Sequence, residues 1–561
     1  FIKDPKIRYA FTNNFQSNVT FETLRTNQGQ NVLFEGSYLF LESDLGVLPI
    51  TKIEKIVYDK EWVYDVSVPG CENFAAGTGP IMCHNSLDAT EEMGVLPEIK
   101  VEIYQLEETR FKVVVIDNGP GVVKEQIPKV FAKLLYGSKF GRNKQGRGQQ
   151  GIGVSASVLY GQLTTGKPVV ITSKIGKGKP AHHYHLKIDI ARNEPHVVDD
   201  SIVDFPLDHG TRVEIELEGK YQKGKQGVEE YIRQTAIANP HAQIIFITPL
   251  KETLMFKRVV QKIPKEPKSI KPHPYGIEVG ILLRMAHHSK SRHLSGFFSS
   301  EFSRVSSSLA QQICEKAQVS TSLSPRDLHH TQAEALIKSI RETKIMVPPL
   351  DCLSPIGEKA LVEGLKHEVK GEFYVATTRR PSVYRGFPFL VEVGLVYGGE
   401  LVADDLVRVA RLANKVPLLY QQGACAITKS ITQTAWRNYG LSQSKGALPA
   451  GPIYLLIHIA SVWVPFTSEA KEAIAHYPEI IRELKLALQD VGRKLGSYIR
   501  KTVRAREQQE KVNLFEKYIP ELAQSLSSLT GEKKDQISND LYKILKKHMK
   551  DILPENHDKP E

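Results

Sequence analysis

The chain has 561 residues, 41% of them hydrophobic and 24% charged, a composition typical of globular proteins and a length too great for one hydrophobic core. No apolar run reaches the ~18 residues that a membrane-spanning helix requires, and no secretory signal opens the chain, so neither a membrane protein nor a secreted one is expected. The formal net charge of +11 and a pI near 9.1 favour a polyanionic partner such as nucleic acid, although a basic surface also serves solubility.

The cysteines are scattered and odd in number, and none has the CxxC spacing of a zinc site. Neither a disulfide framework nor a metal site is therefore predicted from them. A reducing setting inside the cell, cytoplasmic for a DNA-associated protein, fits this usage. The five are Cys71, Cys83, Cys314, Cys352 and Cys425.

Residues 1–85 differ in character from the rest of the chain. The chain opens on Phe1 rather than methionine, which predicts a piece of a longer precursor. Alternating strands are predicted at Val47–Ile56 and Trp62–Val68, and the segment closes on Ile81–Asn85 directly before Ser86. This ending resembles the C-terminal part of an intein and implies a β-rich Hint fold. The alternative is a small β-rich domain in which the His-Asn-Ser sequence is coincidental.

The intein resemblance implies a reaction at its last residues. The amide of Asn85 would attack its own carbonyl carbon and cut the chain, while His84 would polarise that carbonyl or protonate the leaving amine. Ser86 would be the hydroxyl nucleophile, with Asp65 assisting. The family's N-terminal nucleophile and Thr-x-x-His block do not occur upstream, so C-terminal cleavage is the most that this segment could perform.

From residue 86 to residue 228, helices and strands mix in a way that predicts a two-layer α/β sandwich. The predicted elements are a helix at Ser86–Glu92, strands at Glu98–Tyr104 and Phe111–Asp117, a helical stretch to Tyr136, a helix from Val154, and strands at Val169–Thr172 and Thr211–Leu217.

The strand that ends at Asp117 presents its carboxylate at the mouth of the turn Asp117–Gly121. By itself such an Asp-Asn-Gly turn is usually an ordinary hairpin. A second glycine cluster, Gly146–Gly153, follows about thirty residues later and is typical of a phosphate-binding loop. The pair together predicts a nucleotide site.

Four motifs in order, at residues 85–89, 117–121, 146–153 and 210–211, resemble those of the GHKL ATPases, the family that includes the B subunit of DNA gyrase, Hsp90, MutL and histidine kinases. The resemblance implies that ATP and Mg²⁺ are the cofactors. It implies these cofactor-binding residues: Asn85, Asp88, Asp117, Gly119, Gly121, Ser138, Lys139, Gly146, Arg147, Gly148, Gln149, Gln150, Gly151, Ile152, Gly153, Thr211 and Lys471.

In this resemblance Asp117 accepts a hydrogen bond from the adenine amino group, and Thr211 lies behind the base. Gly119 and Gly121 let the base pack closely. The segment Gly146–Gly153 forms a lid whose N–H groups surround the phosphates. Ser138 and Lys139, just before the lid, touch phosphate or ribose.

One departure concerns the first motif, which in the family is Glu-x-x-x-Asn. The Glu activates water and the Asn holds Mg²⁺. Here Ile81 stands four residues before Asn85, and Asn85 is a positional stand-in for the Mg²⁺-binding residue. The intein resemblance places the family's own Glu and Asn upstream, so we expect poor ATP hydrolysis by this chain.

A basic, proline-rich linker at 263–274 follows the end of the ATPase domain (229–272). Helices are then predicted at Val279–His287, Leu294–Val305, Ala310–Ala317 and Thr331–Ile345. This domain (273–349) resembles the helix-two-turns-helix insert of the B subunits of type IIB topoisomerases. Its basic residues would contact DNA or simply form a solvated surface.

Residues 350–505 resemble the transducer domain of the same B subunits, most distinctively at Val347–Glu358. Strands alternating with helices predict a βαβ layer with a right-handed crossover. In the superfamily a transducer lysine senses the γ-phosphate, and Lys471 lies in that register. Without the family context, Lys471 would be read as a surface lysine.

A long helix is predicted from an apolar stripe that packs on its own domain or forms a stalk toward a partner subunit. The stripe comprises Leu484, Leu488, Val491, Leu495 and Tyr498. A helical tail (506–561) follows, with amphipathic stretches at Leu514–Leu529 and Ile537–Leu553.

The resemblance as a whole identifies the chain as a member of the topoisomerase VI B-subunit family. It implies an ATP-driven B–B dimer, an A₂B₂ assembly with a DNA-cleaving A subunit, and strand passage through double-stranded DNA. Three alternatives stay open: another GHKL ATPase such as a histidine kinase, an inert splicing-junction fragment, and a DNA-binding scaffold without nucleotide dependence.

Overall fold

The computed structural model describes residues 7–11, 22–25, 31–35, 38–43, 46–55, 74–136, 143–148, 153–468 and 471–552. The chain divides into two compact units, Phe1–Cys71 and Glu72–Glu561. Each unit is described by itself.

The first unit holds a five-stranded antiparallel sheet in the order β1-β5-β4-β3-β2. Its strands are β1 (Ile7–Phe11), β2 (Glu22–Arg25), β3 (Asn31–Glu35), β4 (Tyr38–Ser43) and β5 (Gly46–Lys55). The strand predicted at Val47–Ile56 is confirmed within β5. The strand predicted at Trp62–Val68, and Asp65 with it, lies outside the described residues.

The second unit begins with an α/β domain, which we call the first α/β domain. It contains an eight-stranded sheet in the order β10-β9-β8-β11-β7-β6-β12-β13, antiparallel except for the β12–β6 pair. Its helices are α1 (Phe74–Met93), α2 (Ile127–Ala132), α3 (Gly153–Thr165) and α4 (Val228–Ala238). Its strands are β6 (Glu98–Gln105), β7 (Arg110–Asp117), β8 (Val169–Lys174), β9 (Ala181–Asp189), β10 (Glu194–Val203), β11 (Gly210–Glu218), β12 (Gln243–Ile247) and β13 (Thr253–Phe256).

Strand β7 forms the centre of this sheet because its side chains are apolar on both faces. Val113, Val114 and Val115 are all buried, as expected for β-branched residues in a strand covered on both sides. Helix α1 packs against β6 and β7, and α3 packs against β11. The predicted two-layer arrangement is therefore present, with Asp117 at the end of the central strand.

One expectation for this domain was wrong in extent. Helix α1 begins at Phe74, twelve residues before the predicted start at Ser86, so it runs through His84, Asn85 and Ser86 without a break. Strands β9 and β10 were not predicted. The sheet also continues past residue 228, because β12 and β13 belong to it.

The helical domain contains the four predicted helices, α5 (Val279–His288), α6 (Leu294–Glu301), α7 (Ser307–Lys316) and α8 (His330–Glu342). Its core includes three mutually packed rings, those of Phe297, Phe298 and Phe302. Helix α6 ends at Glu301, four residues before the predicted end at Val305.

The second α/β domain contains a mixed sheet in the order β14-β16-β19-β17-β18, with β15 paired to β16. Strands β17 and β19 are parallel, and α10 lies between them in the chain, which confirms the predicted βαβ connection. The elements are α9 (Glu358–Glu368), β14 (Phe373–Thr378), β15 (Ser382–Tyr384), β16 (Phe387–Tyr397), β17 (Arg408–Ala413), β18 (Val416–Pro417), α10 (Ala426–Thr432) and β19 (Ile453–Ser461).

The long helix α11 (Pro478–Thr530) continues through the boundary predicted at residue 505, so that boundary does not separate two helices. Its stripe packs on its own sheet, with Leu484, Leu488, Val491 and Leu495 buried and Tyr498 stacked on Phe373. Helix α12 (Lys534–Ile552) packs back on α11.

The two α/β domains share a hydrophobic cluster. Ile237 and Ala238 of α4 pack with Leu361 and Leu365 of α9. A side chain at Gly364 would lie 2.7 Å from the carbonyl oxygen of Ile237. The described helices include none that is long and apolar enough to cross a membrane.

Candidate functional site

Asp117 is the centre of a buried polar site where β7 meets α1. Its carboxylate accepts hydrogen bonds from the Ser86 hydroxyl (2.6 Å) and from the backbone N–H groups of Gly119 (2.9 Å) and Thr211 (3.2 Å). Burial raises the pKa of Asp117, and these three hydrogen bonds oppose the shift without cancelling it. The arrangement orients the carboxylate and leaves it capacity to accept a further hydrogen bond from a ligand.

Two glycines near Asp117, Gly121 and Gly210, allow close packing of the protein's own backbone. Gly121 has a φ of +69°, and a side chain there would lie 2.2 Å from the carbonyl oxygen of Lys174. Gly210, at the start of β11, has a φ of +143°, and a side chain there would lie 2.1 Å from the carbonyl oxygen of Asp117. The backbone of Lys174 therefore fills the space beside Gly121, and the predicted close packing of the base at Gly119 and Gly121 remains a prediction.

Helix α1 presents two working faces because residues three or four apart share a face. Ser86 and Thr90 face the Asp117 turn, and the Ala89 and Thr90 side chains approach Gly119. Asp88 and Glu91 face the other way, toward the start of the lid (residues 146–153). One helix therefore contributes residues both to the Asp117 end of the site, where the base is expected, and to the end at the lid.

Arg147 of the lid is buried against this second face. It forms ion pairs with Asp88 (2.5 Å) and Glu91 (2.6 Å) and also donates to the Asn239 side chain. Glu91 is also bonded to His241 at 2.7 Å. Burial alone would raise the pKa of Glu91, but Arg147 and His241 hold it well below its usual range. Arg147 and Asp88, both expected at the nucleotide, are paired with each other here.

The start of the lid is tied to the second α/β domain. The Gln145 side chain accepts a hydrogen bond from the backbone N–H of Ser354 (2.7 Å) and donates to its carbonyl (3.2 Å). The Gln145 backbone N–H donates to the Cys352 carbonyl at 2.9 Å. The Gly146 carbonyl accepts from the Asn414 amide at 3.2 Å.

The residues expected at an intein junction lie inside the first α/β domain. His84 is buried, and its Nε2 lies 2.8 Å from the Tyr231 hydroxyl. Burial lowers the pKa of His84 to about 3. Ser86 donates to Asp117. Asn85 is exposed, and its Oδ1 lies 4.0 Å from the position that a Cβ atom at residue 148 would occupy. These three side chains lie in different surroundings on the continuous helix α1, and their predicted junction chemistry remains a prediction.

Lys471 lies in a loop after β19 with a φ of +56°, and its backbone N–H donates to the Ser468 carbonyl. Burial lowers the pKa of its amine. The described structure gives its amine no contact with Asp117 or Arg147, so its predicted role remains a prediction. Ser138, Lys139, Gln149, Gln150, Gly151 and Ile152 lie outside the described residues, whereas Gly153 begins α3.

Sequence reasoning missed several residues that the fold brings to the site. His209 bonds the Gly119 carbonyl through Nδ1 at 2.8 Å. Glu91 and Asn239 hold Arg147, and Lys415 from the second α/β domain lines the same cleft as the start of the lid. Only the Glu91 position carried a local signal, since it lies three residues after Asp88 on one helix face.

Two protein families match parts of this chain. The family described as "Topoisomerase VI B subunit, transducer" matches residues 348–511. The family described as "Histidine kinase-, DNA gyrase B-, and HSP90-like ATPase" matches residues 82–206.

Three similar proteins are each named as the B subunit of type 2 DNA topoisomerase 6. The one from Methanococcoides burtonii is 48% identical over 79% of this chain and 71% of its own length. Those from Methanosarcina barkeri and Pyrococcus horikoshii are 45% and 38% identical, over 82% of this chain and 74% and 89% of their own lengths.

Proposed function

This chain belongs to the family of type 2 DNA topoisomerase 6 B subunits, and from its geometry we propose how it binds ATP and transmits the nucleotide-bound state to its partner subunits. As the ATPase subunit of a type II DNA topoisomerase, it must recognise a nucleotide. The observation that carries the proposal is the buried Asp117 carboxylate, which three donors hold at the end of the site away from the lid.

Asp117 is the adenine-binding residue in this proposal. Ser86, Gly119 and Thr211 hold its carboxylate so that it can accept from the exocyclic amino group of the base. A charged acceptor in a buried site contributes about 1.5–3 kcal/mol per hydrogen bond. In this proposal the backbone N–H groups at the start of the lid (residues 146–148) and at the N-terminus of α3 bind the phosphates.

Asp117→Asn tests this role. The amide oxygen can still accept from Gly119 and Thr211, but the amide nitrogen places a donor where the adenine amino group needs an acceptor. Calorimetry with a non-hydrolysable ATP analogue is expected to show a loss of affinity of roughly 10- to 100-fold.

Asp189→Asn is the matched control, because Asp189 also accepts two backbone N–H groups, those of Ala191 and Arg192, away from the site. This variant should bind as the unmodified chain does. Equal binding by Asp117→Asn and the unmodified chain would contradict the adenine assignment.

The Mg²⁺ ion would rely mainly on phosphate oxygens in this proposal. Among the described residues no group of three His, Cys, Asp or Glu side chains could hold a metal. Asn85 is exposed on the lid-facing side of α1, and its amide oxygen is a suitable further ligand. Lys471 is the proposed sensor of the terminal phosphate.

Hydrolysis by this sequence is proposed to be slow, because residue 81, one helical turn before Asn85, is isoleucine. Ile81→Glu would place a carboxylate at that turn, where a general base contributes roughly 10²- to 10⁴-fold. Phosphate release at saturating ATP should therefore rise in the variant. An unchanged rate would show that this register does not supply the base.

An intein origin for residues 1–85 stays a proposal that rests on the closing sequence Ile81–Ser86. Mass spectrometry of the incubated chain would detect it, since cyclisation at Asn85 releases the first 85 residues as one fragment. An Asn85→Ala variant must not release that fragment. An intact mass after prolonged incubation of the unmodified chain would refute cleavage activity.

The assembly proposed for the chain follows its family and its charge. Two B subunits dimerise on ATP, join two A subunits as A₂B₂, and relax supercoiled double-stranded DNA by strand passage. The net charge of +11 supports a DNA partner, and an intracellular, cytoplasmic location goes with it. Light scattering with and without an ATP analogue tests the dimer: a mass that stays monomeric would contradict it.

A further inference from the structure

The turn between β17 and β18 has an unusual residue in it. Asn414 and Lys415 form a two-residue hairpin loop with φ values of +49° and +66°, as in a type I′ turn, whose second position favours glycine. A lysine in this left-handed conformation costs about 1–2 kcal/mol. Strain retained at a non-glycine position is a reason to look for a function of its side chain.

The turn is held firmly from the side of its own domain. The Lys415 backbone N–H donates to His458 Nε2 at 3.0 Å, so His458 carries its proton on Nδ1, which donates to the buried Glu392 carboxylate at 2.8 Å. The Asn414 side chain accepts from the Ser461 N–H (2.8 Å) and donates to its carbonyl (2.9 Å). The position of Lys415 is therefore set by the core of the second α/β domain, which is the transducer.

On its other side the turn contacts the first α/β domain, which is the ATPase domain. The Asn414 amide donates to the carbonyl of Gly146, the first residue of the lid. Lys415 lines a cleft of about 190 Å³ between the two domains, together with Asp88, Glu91 and the lid residues 146–148. Asp88 and Glu91 lie on the lid-facing side of α1, so Lys415 is at the end of the site remote from Asp117.

The Lys415 amine is buried and forms no ion pair with a carboxylate of the described residues. Its residue is 3% exposed, yet within the described part of the chain no carboxylate forms an ion pair with its Nζ, because Asp88 and Glu91 are paired with Arg147. Burial lowers the pKa of Lys415, and the attraction of Glu91 opposes that shift only in part. A buried, unpaired ammonium group is costly and is stabilised when an anion arrives.

We propose that Lys415 is a second transducer cation for the nucleotide, which contacts the terminal phosphate and couples it to the lid through the Asn414–Gly146 contact. This inference rests on the proposed ATP-binding function. Lys415 differs from Lys471 in position, because it is presented by a strained turn bonded to both the transducer core and the start of the lid. The terminal phosphate is the assigned partner because it is the phosphate farthest from the base.

Three substitutions distinguish the effect of the Lys415 charge from the effect of the strained turn. Lys415→Met removes the charge and keeps the length of the side chain, and Lys415→Arg keeps the charge. Lys415→Gly removes the side chain but relieves the backbone strain, so its thermal unfolding temperature without nucleotide should be at least that of the unmodified chain.

Calorimetry with a non-hydrolysable ATP analogue and with ADP is the measurement. The Met and Gly variants should lose at least roughly tenfold in affinity for the analogue and less than about threefold for ADP, and the Arg variant should keep most of its affinity. Analogue binding by Met and Gly variants equal to that of the unmodified chain, while Asp117→Asn loses binding, would overturn the role of Lys415 and leave the ATP site standing. No binding by the unmodified chain would instead overturn the proposed function, and this inference with it.

Discussion

At the scale of single residues, buried carboxylates decide how this chain is organised. Asp117 and Glu392 are buried and Glu91 is partly buried, and each is held by several donors. Burial by itself would raise the pKa of Glu392, but His458 and the N–H groups of Ile356 and Gly357 outweigh it and hold the pKa below its usual range. Because its pKa is lowered in the fold, Glu392 contributes stability only while it is ionised.

Glu392→Gln is therefore expected to lower the free energy of unfolding by about 3 kcal/mol at neutral pH, because the amide nitrogen replaces an oxygen that accepts hydrogen bonds and leaves buried donors unpaired. The stability due to ionised Glu392 is present above its unfolded-state pKa of 4.5 and is lost as the pH falls below that value. Denaturant titrations at pH 7 and pH 4, followed through buried Trp436, measure both effects.

Glu363→Gln is the control for that substitution. Glu363 pairs with Lys366 on an exposed helix face, where an ion pair is worth well under about 1 kcal/mol. A loss in Glu392→Gln no larger than in this control would show that the buried pair does not stabilise the transducer.

At the scale of elements, the strands with apolar patterns were predictable, whereas the polar edge strand β10 was not. Strands β7 and β8 carry runs of β-branched residues, β6 and β11 alternate apolar with charged residues, and each was predicted within a few residues. Strand β10 is the edge of the sheet and is exposed along most of its length, so its sequence lacks the apolar alternation that marks a strand. Its neighbour β9 carries histidines at 182, 183 and 185, which obscure the pattern in the same way.

The turn after β7 gives an element-scale prediction. Gly121→Ala and Gly178→Ala both place a side chain at a φ near +70°, but only the first meets an atom, the Lys174 carbonyl oxygen at 2.2 Å. We expect a loss of about 1 kcal/mol for Gly178→Ala and at least about 3 kcal/mol for Gly121→Ala. Denaturant midpoints measure the difference, and equal losses would contradict the close approach of β8 to the turn.

At the scale of the whole molecule, the ATPase and transducer domains are joined at the lid and through α4. Residues 237 and 238 belong to one core with α9, and Gln145 bonds the backbone of Ser354. A change of the lid can therefore reach the transducer through direct hydrogen bonds.

Gln145→Ala removes both side-chain hydrogen bonds to Ser354 and leaves the Asp117 site untouched. We expect ADP affinity within about threefold of the unmodified chain but a smaller dimer fraction with an ATP analogue, measured by light scattering. Gln105→Ala, which removes an exposed hairpin hydrogen bond, is the control. Equal dimer fractions in all three proteins would show that this contact does not couple the domains.

The sequence by itself determined the family, the central strand that ends at Asp117, the order of the motifs and the four helices of the helical domain, because these depend on short-range spacing of apolar, glycine and acidic residues. Only the tertiary structure decided that α1 runs through residues 84–86, that β12 pairs with β6, and that Arg147 is held by Asp88 and Glu91. It also placed Lys415 beside the lid. These features depend on contacts between residues far apart in the chain, whose energies come from burial and hydrogen bonding that no local pattern records.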